Sequence, residues 1–331
     1  MSELTYAEAI SQATVEAMER DPRIVVLGSG ATDFKGIFGT TLEATRRFPD
    51  RVFDVPNSEA ALGGIVCGLA SQGYHPLWVH HRVDFMTYCF DPIVNLLAKW
   101  QAMYQTDPLP VTIRALVGRG WGQGPTHSQF LGSTFAHFPG LTVVAPDDAA
   151  SAHDLLRVAA GTAGPTLVVE HRALYPRTHL PLIGQAPQPC AVTVVSCSAG
   201  VHEAAVAAQH LWLEHHVSVD VVPVRYLRPL GLAGALDSIM TTRRLVVLDP
   251  GWTTYGFGAE ILACVAEDGV CLDAMPVRIA PPDVPAPTSA PLEATYWPGA
   301  AAVVQAVLRL LGRAEPAAVG ESRPDAFTGP Y

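Results

Sequence analysis

The 331-residue chain is 49% hydrophobic and 16% charged, with a formal net charge of −10. Apolar content of that order supports two large cores and excludes global disorder, and the acidic balance excludes a nucleic-acid backbone as partner. Six cysteines without a CxxC pair read as free, mostly buried thiols of a reducing compartment. The N-terminus shows no basic region followed by an apolar stretch, and no run reaches the roughly 18 apolar residues of a membrane span, so the sequence reads as cytoplasmic.

In chain order, Thr5 and Glu8 form a capping box ahead of Tyr6, Ile10, Ala13 and Ala17, which recur at helical spacing until Asp21-Pro22. Short apolar strands are predicted at 23–27 and 51–55, the first ending in Gly28-Ser29-Gly30. Asn57-Ser58 can cap a helix running from Glu59 to about Ser71. Strands follow at 76–79, 111–116, 141–144 and 166–169, with helices over 91–104 and 147–160, each opened by an Asp. Continuous apolar strands alternating with helices predict a parallel sheet covered on both faces. Residues 176–189 hold Pro176, Pro181, Pro187 and Pro189 and read as a linker. A second alternation places strands at 192–196, 217–222, 245–248 and 277–279, and helices at 201–214, 259–266 and 300–311. The expected fold is α/β, with two doubly wound domains at 1–180 and 192–315, a linker at 181–191 and a tail at 316–331.

Common motifs are missing. Gly28-Ser29-Gly30 has Asp33 where a dinucleotide fingerprint has its third glycine, and neither a P-loop nor a GxSxG elbow occurs. His80 and His81 are neighbours on a predicted strand, so they point to opposite faces and do not share a metal. Gly118, Gly120, Gly122 and Gly124 make a loop that follows the strand at 111–116 and delivers His127-Ser128-Gln129, where α/β proteins place ligands. Glu59 opens a helix of small residues that carries no other charge. The helix dipole accounts for a carboxylate there, while the small residues predict deep packing and a buried, paired carboxyl.

Several ordered segments carry a family likeness. They are Asn57-Ser58-Glu59-Ala60, the run from Asp91 to Lys99, His127-Ser128-Gln129 with Phe135 through Leu141, Val168-Val169-Glu170, Leu227-Arg228-Pro229-Leu230, Gly251-Trp252 with Gly256 through Glu260, and Asp283-Val284-Pro285. From about Thr5 to about Leu311 the chain resembles the beta subunit of thiamin-diphosphate-dependent 2-oxoacid dehydrogenases of the pyruvate dehydrogenase type, within the transketolase-like superfamily. The likeness implies a pyrimidine-binding domain followed by a transketolase C-terminal domain. It implies that Glu59 hydrogen-bonds a ring nitrogen of the cofactor's aminopyrimidine, as an acid/base group in cofactor activation. Phe85 corresponds to the aromatic residue packed on the pyrimidine, with Ser29 and Tyr88 completing the expected cofactor set. His127 corresponds to the active-site histidine that faces substrate, and His80, His81, Arg82 and Gln129 are expected to bind substrate. The family holds the diphosphate and Mg²⁺ through a GDG motif and a later Asn. This chain has no GDG, so an alpha-type partner is implied, commonly as α2β2, with no metal ligands here. A lipoyl or acyl-carrier protein is a further implied partner, and neither nucleic acid nor membrane is.

Two departures bear on the reaction. Gly28-Ser29-Gly30 replaces an acidic Gly-Glu-Asp segment, and Val79-His80-His81-Arg82 replaces a Glu-Phe-Met type segment. The second favours an anionic or hydroxylated substrate. The leading expectation is decarboxylation of a 2-oxoacid with transfer of the acyl unit. A split transketolase or carboligase acting on a sugar or aldehyde is the alternative. A non-catalytic regulatory subunit is the rival of another class, opposed by the joint presence of Glu59, Phe85 and His127.

Overall fold

Fully buried apolar strands set the frame. The computed structural model describes residues 4–119, 122–178 and 189–313. The expected tail at 316–331, most of the expected linker, and Gly120 and Trp121 of the glycine loop lie outside the described residues. The N-terminal half runs α1 (Tyr6–Arg20), β1 (Ile24–Gly28), α2 (Leu42–Arg47), β2 (Val52–Asp54), α3 (Glu59–Ser71), β3 (His75–His80), α4 (Trp100–Tyr104), β4 (Thr112–Val117), α5 (Gly132–Ala136), β5 (Thr142–Val144), α6 (Ala149–Ala159) and β6 (Thr166–His171). The C-terminal half runs β7 (Val192–Ser196), α7 (Ala199–His215), β8 (Val219–Pro223), β9 (Tyr226–Arg228), α8 (Ala233–Thr242), β10 (Leu245–Leu248), α9 (Phe257–Glu267), β11 (Val277–Ile279), α10 (Ala290–Tyr296) and α11 (Ala300–Leu310).

Helix α1 starts at the expected capping box. The Thr5 hydroxyl accepts from the Glu8 amide at 3.2 Å, and the Glu8 carboxylate accepts from the Thr5 amide at 2.8 Å. The first sheet has the order β2-β1-β3-β4-β6-β5-β9, parallel except for the last pair. Strand order reverses at β1, which has β2 on one side and β3 on the other. In open parallel sheets the crevice beyond the carboxyl ends at such a reversal is where ligands bind. The second sheet, β11-β10-β7-β8, is all parallel. The halves share one core, in which Phe130 and Phe135 from the first half lie in the same apolar cluster as Val224, Leu227 and Phe257 from the second. Among the described residues no helix is long and apolar enough to cross a membrane.

One expectation needs correction, and one strand was not predicted. Residues 91–104 do not form one α-helix; a π-type turn over Pro92–Leu96 and a 3₁₀ turn over Leu97–Lys99 precede α4. Pro92 offers no N–H to a helical ladder, and its ring sits where a side chain on Gly63 of α3 would have to go, so the segment widens as it passes that helix. Residues 226–228 pair antiparallel with β5, so a strand of the C-terminal half closes the edge of the N-terminal sheet. Gly140 leads into β5 with φ +93°, and a Cβ there would collide with the Ala98 carbonyl oxygen. Gly140→Ala is therefore expected to cost about 2 kcal/mol or more, read as a lower urea midpoint at unchanged slope. A wild-type midpoint would show that this contact does not constrain the turn.

Candidate active site

Glu59 is the first residue of α3, and the loop from β2 brings it to the carboxyl edge of the first sheet. It is half-buried and makes no hydrogen bond or ion pair among the described residues, so within this chain the expected deep burial is not reached. The reason is the packing of α3. Leu62, Gly63, Val66, Cys67 and Ala70 are buried, while Ala61, Gly64, Ile65 and Gly68 form an exposed, uncharged face. Ser58 provides no side-chain cap, so the amide groups of the first turn stay available around the carboxylate. Glu59 acts on Cys89, whose thiol is pushed up to about 12 by burial and, secondarily, by the Glu59 charge.

After β3 the chain forms a 3₁₀ segment, Val83–Cys89, which packs on α3. It carries Phe85, half-buried, whose ring meets the His127 ring edge-on at 5.1 Å and stacks near Tyr88 at 6.4 Å. Tyr88 is 68% exposed. His127 is half-buried at the end of the glycine loop that leaves β4, with its Nδ1 3.0 Å from the Thr126 hydroxyl. Gln129 lies two residues on, its backbone and side-chain N–H groups donating to one oxygen of Asp84 at 3.2 and 2.8 Å.

The His80–Arg82 segment splits as strand geometry requires. His80 faces the core, its ring 4.1 Å from Trp78 and its Nε2 3.9 Å from the Cys89 sulfur. Burial holds it down to about 3, so it is a neutral, packed imidazole. It points away from the Phe38 ring that His81 and Arg82 share. His81 and Arg82 turn toward the loop after β1. The His81 ring lies edge-on to Phe38 at 6.3 Å and also contacts the Ser29 backbone. The half-buried Ser29 thus meets His81, and nothing places its hydroxyl beside Phe85. Arg82 is buried, donates to Gln123 Oε1 at 3.3 and 2.9 Å and to the His81 carbonyl, and lies 5.6 Å from the Phe38 ring centre. Arg172 lies over the same ring at 4.4 Å. Burial, then the neighbouring Arg172, pull the Arg82 guanidinium below its usual range. A Cβ on Gly118 would be 2.6 Å from the His127 carbonyl and 2.7 Å from Arg82 Nε, so this glycine lets the guanidinium lie against the loop that carries His127.

Residues 2–178 match the transketolase pyrimidine binding domain, and residues 186–303 match the transketolase C-terminal domain. The chain belongs to the transketolase-like family. Among its relatives, the pyruvate dehydrogenase E1 component subunit beta-1, mitochondrial, of Oryza sativa subsp. japonica is 35% identical over 340 residues, covering 96% of this chain and 89% of that protein. The beta subunit of the acetoin:2,6-dichlorophenolindophenol oxidoreductase of Cupriavidus necator is 33% identical over 335 residues, covering 93% and 97%. A solved split-gene transketolase, described as an inactive beta4 tetramer, superposes with a TM-score of 0.73 over 94% of this chain and 99% of that chain, at 23% identity, which speaks to the fold alone.

Within this transketolase-like chain, three neighbours of the expected site residues were missed from the sequence: Asp84, Gln123 and Arg172. Asp84 had a visible signal, a lone carboxylate inside the apolar run Val83–Cys89 and next to Phe85. Gln123 and Arg172 had none, because their relation to Arg82 depends on which strand ends are neighbours. A flat heterocycle fits the surroundings of Glu59, since a half-buried carboxylate with open hydrogen-bonding capacity lies on the helix that packs against the Phe85 segment.

Proposed function

We propose that this chain is the beta-type subunit of a thiamin-diphosphate-dependent enzyme that decarboxylates a 2-oxoacid and transfers the acyl unit to an acceptor. The observation that carries the reading is Glu59, an uncapped, hydrogen-bond-ready carboxylate at the strand-order reversal, on a helix packed against the segment of Phe85, whose ring meets His127. Thiamin diphosphate, when bound, supplies the nucleophilic carbon of the reaction. Glu59 holds and exchanges a proton at a ring nitrogen, Phe85 orients the ring, and His127 presents an N–H to oxygen that gains negative charge. Tyr88 and Ser29 are the remaining proposed cofactor contacts. Gln129, His81 and Arg82 are the proposed substrate contacts.

The exposed apolar face of α3 beside Glu59 supports a partner chain there. We assign to that alpha-type partner the GDG motif, the Mg²⁺ and the diphosphate, in an α2β2 assembly with a lipoyl or acyl-carrier acceptor, in the cytoplasm. The guanidiniums of Arg82 and Arg172 converge on Phe38 beside His81, suited to an anionic or hydroxylated substrate, which serves the carboligase or split-transketolase alternative as well as the 2-oxoacid reading.

The test is co-purification with an alpha-type partner, followed by assays of 2-oxoacid decarboxylation with an artificial electron acceptor and of ketose cleavage. Oxoacid-dependent reduction is expected, and ketose cleavage alone would select the alternative. Calorimetry on this chain by itself is expected to show weak binding of thiamin diphosphate with Mg²⁺. Tight Mg²⁺-dependent binding without a partner would overturn the half-site assignment.

A further inference from the structure

The segment that delivers His127 is held at both ends by buried carboxylates from different halves of the chain. At its start, the Gly122 amide donates to Glu293 Oε2 at 2.7 Å, and Glu293, on α10, is 4% exposed. At its end, the Gln129 amide and side chain donate to Asp84 Oδ1, and Asp84 is also 4% exposed. Charge-assisted hydrogen bonds to backbone amides are about twice as strong as neutral ones, so each end is fixed more firmly than an ordinary loop. His127 lies between them, its amide donating to the Gly124 carbonyl at 3.4 Å. The C-terminal half adds steric support: a Cβ on Gly122 would be 2.8 Å from the Thr288 carbonyl.

The arrangement at Asp84 is costly for a purely structural contact. Among the described residues its second oxygen, Oδ2, is buried without a hydrogen-bond partner, as is the hydroxyl of fully buried Ser128. Burial is the largest influence on the Asp84 carboxyl and raises it above the usual range, against the opposing hydrogen bonds from Gln129. Asp84 in turn acts on Arg82, opposing the fall that burial imposes on that guanidinium.

We propose that Asp84 and Glu293 are positioning residues for the reaction, two pegs that fix the 122–129 segment so that the His127 ring stays against Phe85. This rests on the reading of His127 as the substrate-facing histidine. It also gives the C-terminal half a task at the active site, since one peg is its own.

Amide hydrogen exchange on the full chain, with no partner or cofactor, tests the pegs directly. Asp84→Ala is expected to speed exchange at Gln129 at least tenfold, and Glu293→Ala to do so at Gly122. Asp84→Asn and Glu293→Gln keep an accepting oxygen and are expected to restore protection, which also separates loss of the peg from general unfolding. In the assembled enzyme, each Ala variant is expected to lose about 10²-fold in kcat with KM changed less than about threefold, the effect of a misplaced catalytic group. The conservative variants are expected to recover most of it. Wild-type protection in either Ala variant would overturn that peg, and lost protection with unchanged kcat would overturn the positioning role. If the wild-type complex decarboxylates no 2-oxoacid, the proposed function falls, while the exchange data still decide whether the pegs exist.

Discussion

Glu59→Gln, assembled with its partner, is expected to lose at least about two orders of magnitude in kcat while the complex forms as in the wild type. The substitution preserves volume and leaves a carbonyl oxygen at the start of α3, so local packing is kept. Stability should move little. A half-buried carboxylate in a helix first turn contributes about 0.3–1 kcal/mol through the dipole, and Gln forfeits no more than that. What Gln cannot do is take up and release a proton, which is the whole of the role assigned to Glu59. Glu59→Asp tests the other requirement. It keeps the acid but withdraws it by one methylene, and is expected to fall between wild type and Gln. Activity is to be read as steady-state 2-oxoacid decarboxylation at saturating substrate, and assembly by light scattering of the purified complex. Wild-type turnover in Glu59→Gln would remove the carboxylate from the mechanism, and loss of assembly would make Glu59 an interface residue instead.

The sequence was informative wherever a local pattern maps directly onto geometry. The Thr5–Glu8 capping box, the continuous apolar strands and the placement of Glu59 at the first position of α3 follow from short-range rules and are present in the structure. Strand alternation separated His80 from His81 correctly, the one against Trp78 and the other toward Phe38. What depended on distant contacts was not readable. The break in residues 91–104 needs Gly63 and Pro92 to meet, and the strand at 226–228 needs β5 as a neighbour. The depth of α3 within this chain was not readable, because small residues fit two situations, a helix enclosed by its own chain and a helix with one face open. The pairing of Arg82 with Gln123 and the grip of Asp84 on Gln129 join loops that leave different strands, and no spacing along the chain encodes them.

The largest stability effect is expected at Arg114 and Glu170, where single substitutions should cost about 3–5 kcal/mol. Both side chains are fully buried, on adjacent strands β4 and β6. Arg114 donates from Nε to Oε1 at 2.5 Å and from Nη2 to Oε2 at 3.1 Å, the Tyr175 hydroxyl donates to Oε2 at 2.6 Å, and Nη2 also donates to the Thr40 hydroxyl at 2.9 Å. Burial alone would lower the guanidinium, but Glu170 outweighs it and holds Arg114 above its ordinary value. Tyr175 is raised by burial first and by the same carboxylate second. Thr40 belongs to the loop after β1, and its hydroxyl bonds the Ile37 carbonyl, next to the Phe38 ring that Arg82 and Arg172 flank. The pair therefore supports the floor of the proposed substrate contacts as well as the sheet. Arg114→Met strands a buried carboxylate, and Glu170→Met strands a buried guanidinium whose Nη1 already has no partner among the described residues. Removing both charges strands neither, so Arg114→Met/Glu170→Met is expected to be more stable than either single variant. Urea unfolding at constant slope measures all three. A double variant that loses the sum of the two single losses would mean that the side chains act independently, contrary to their two-point contact.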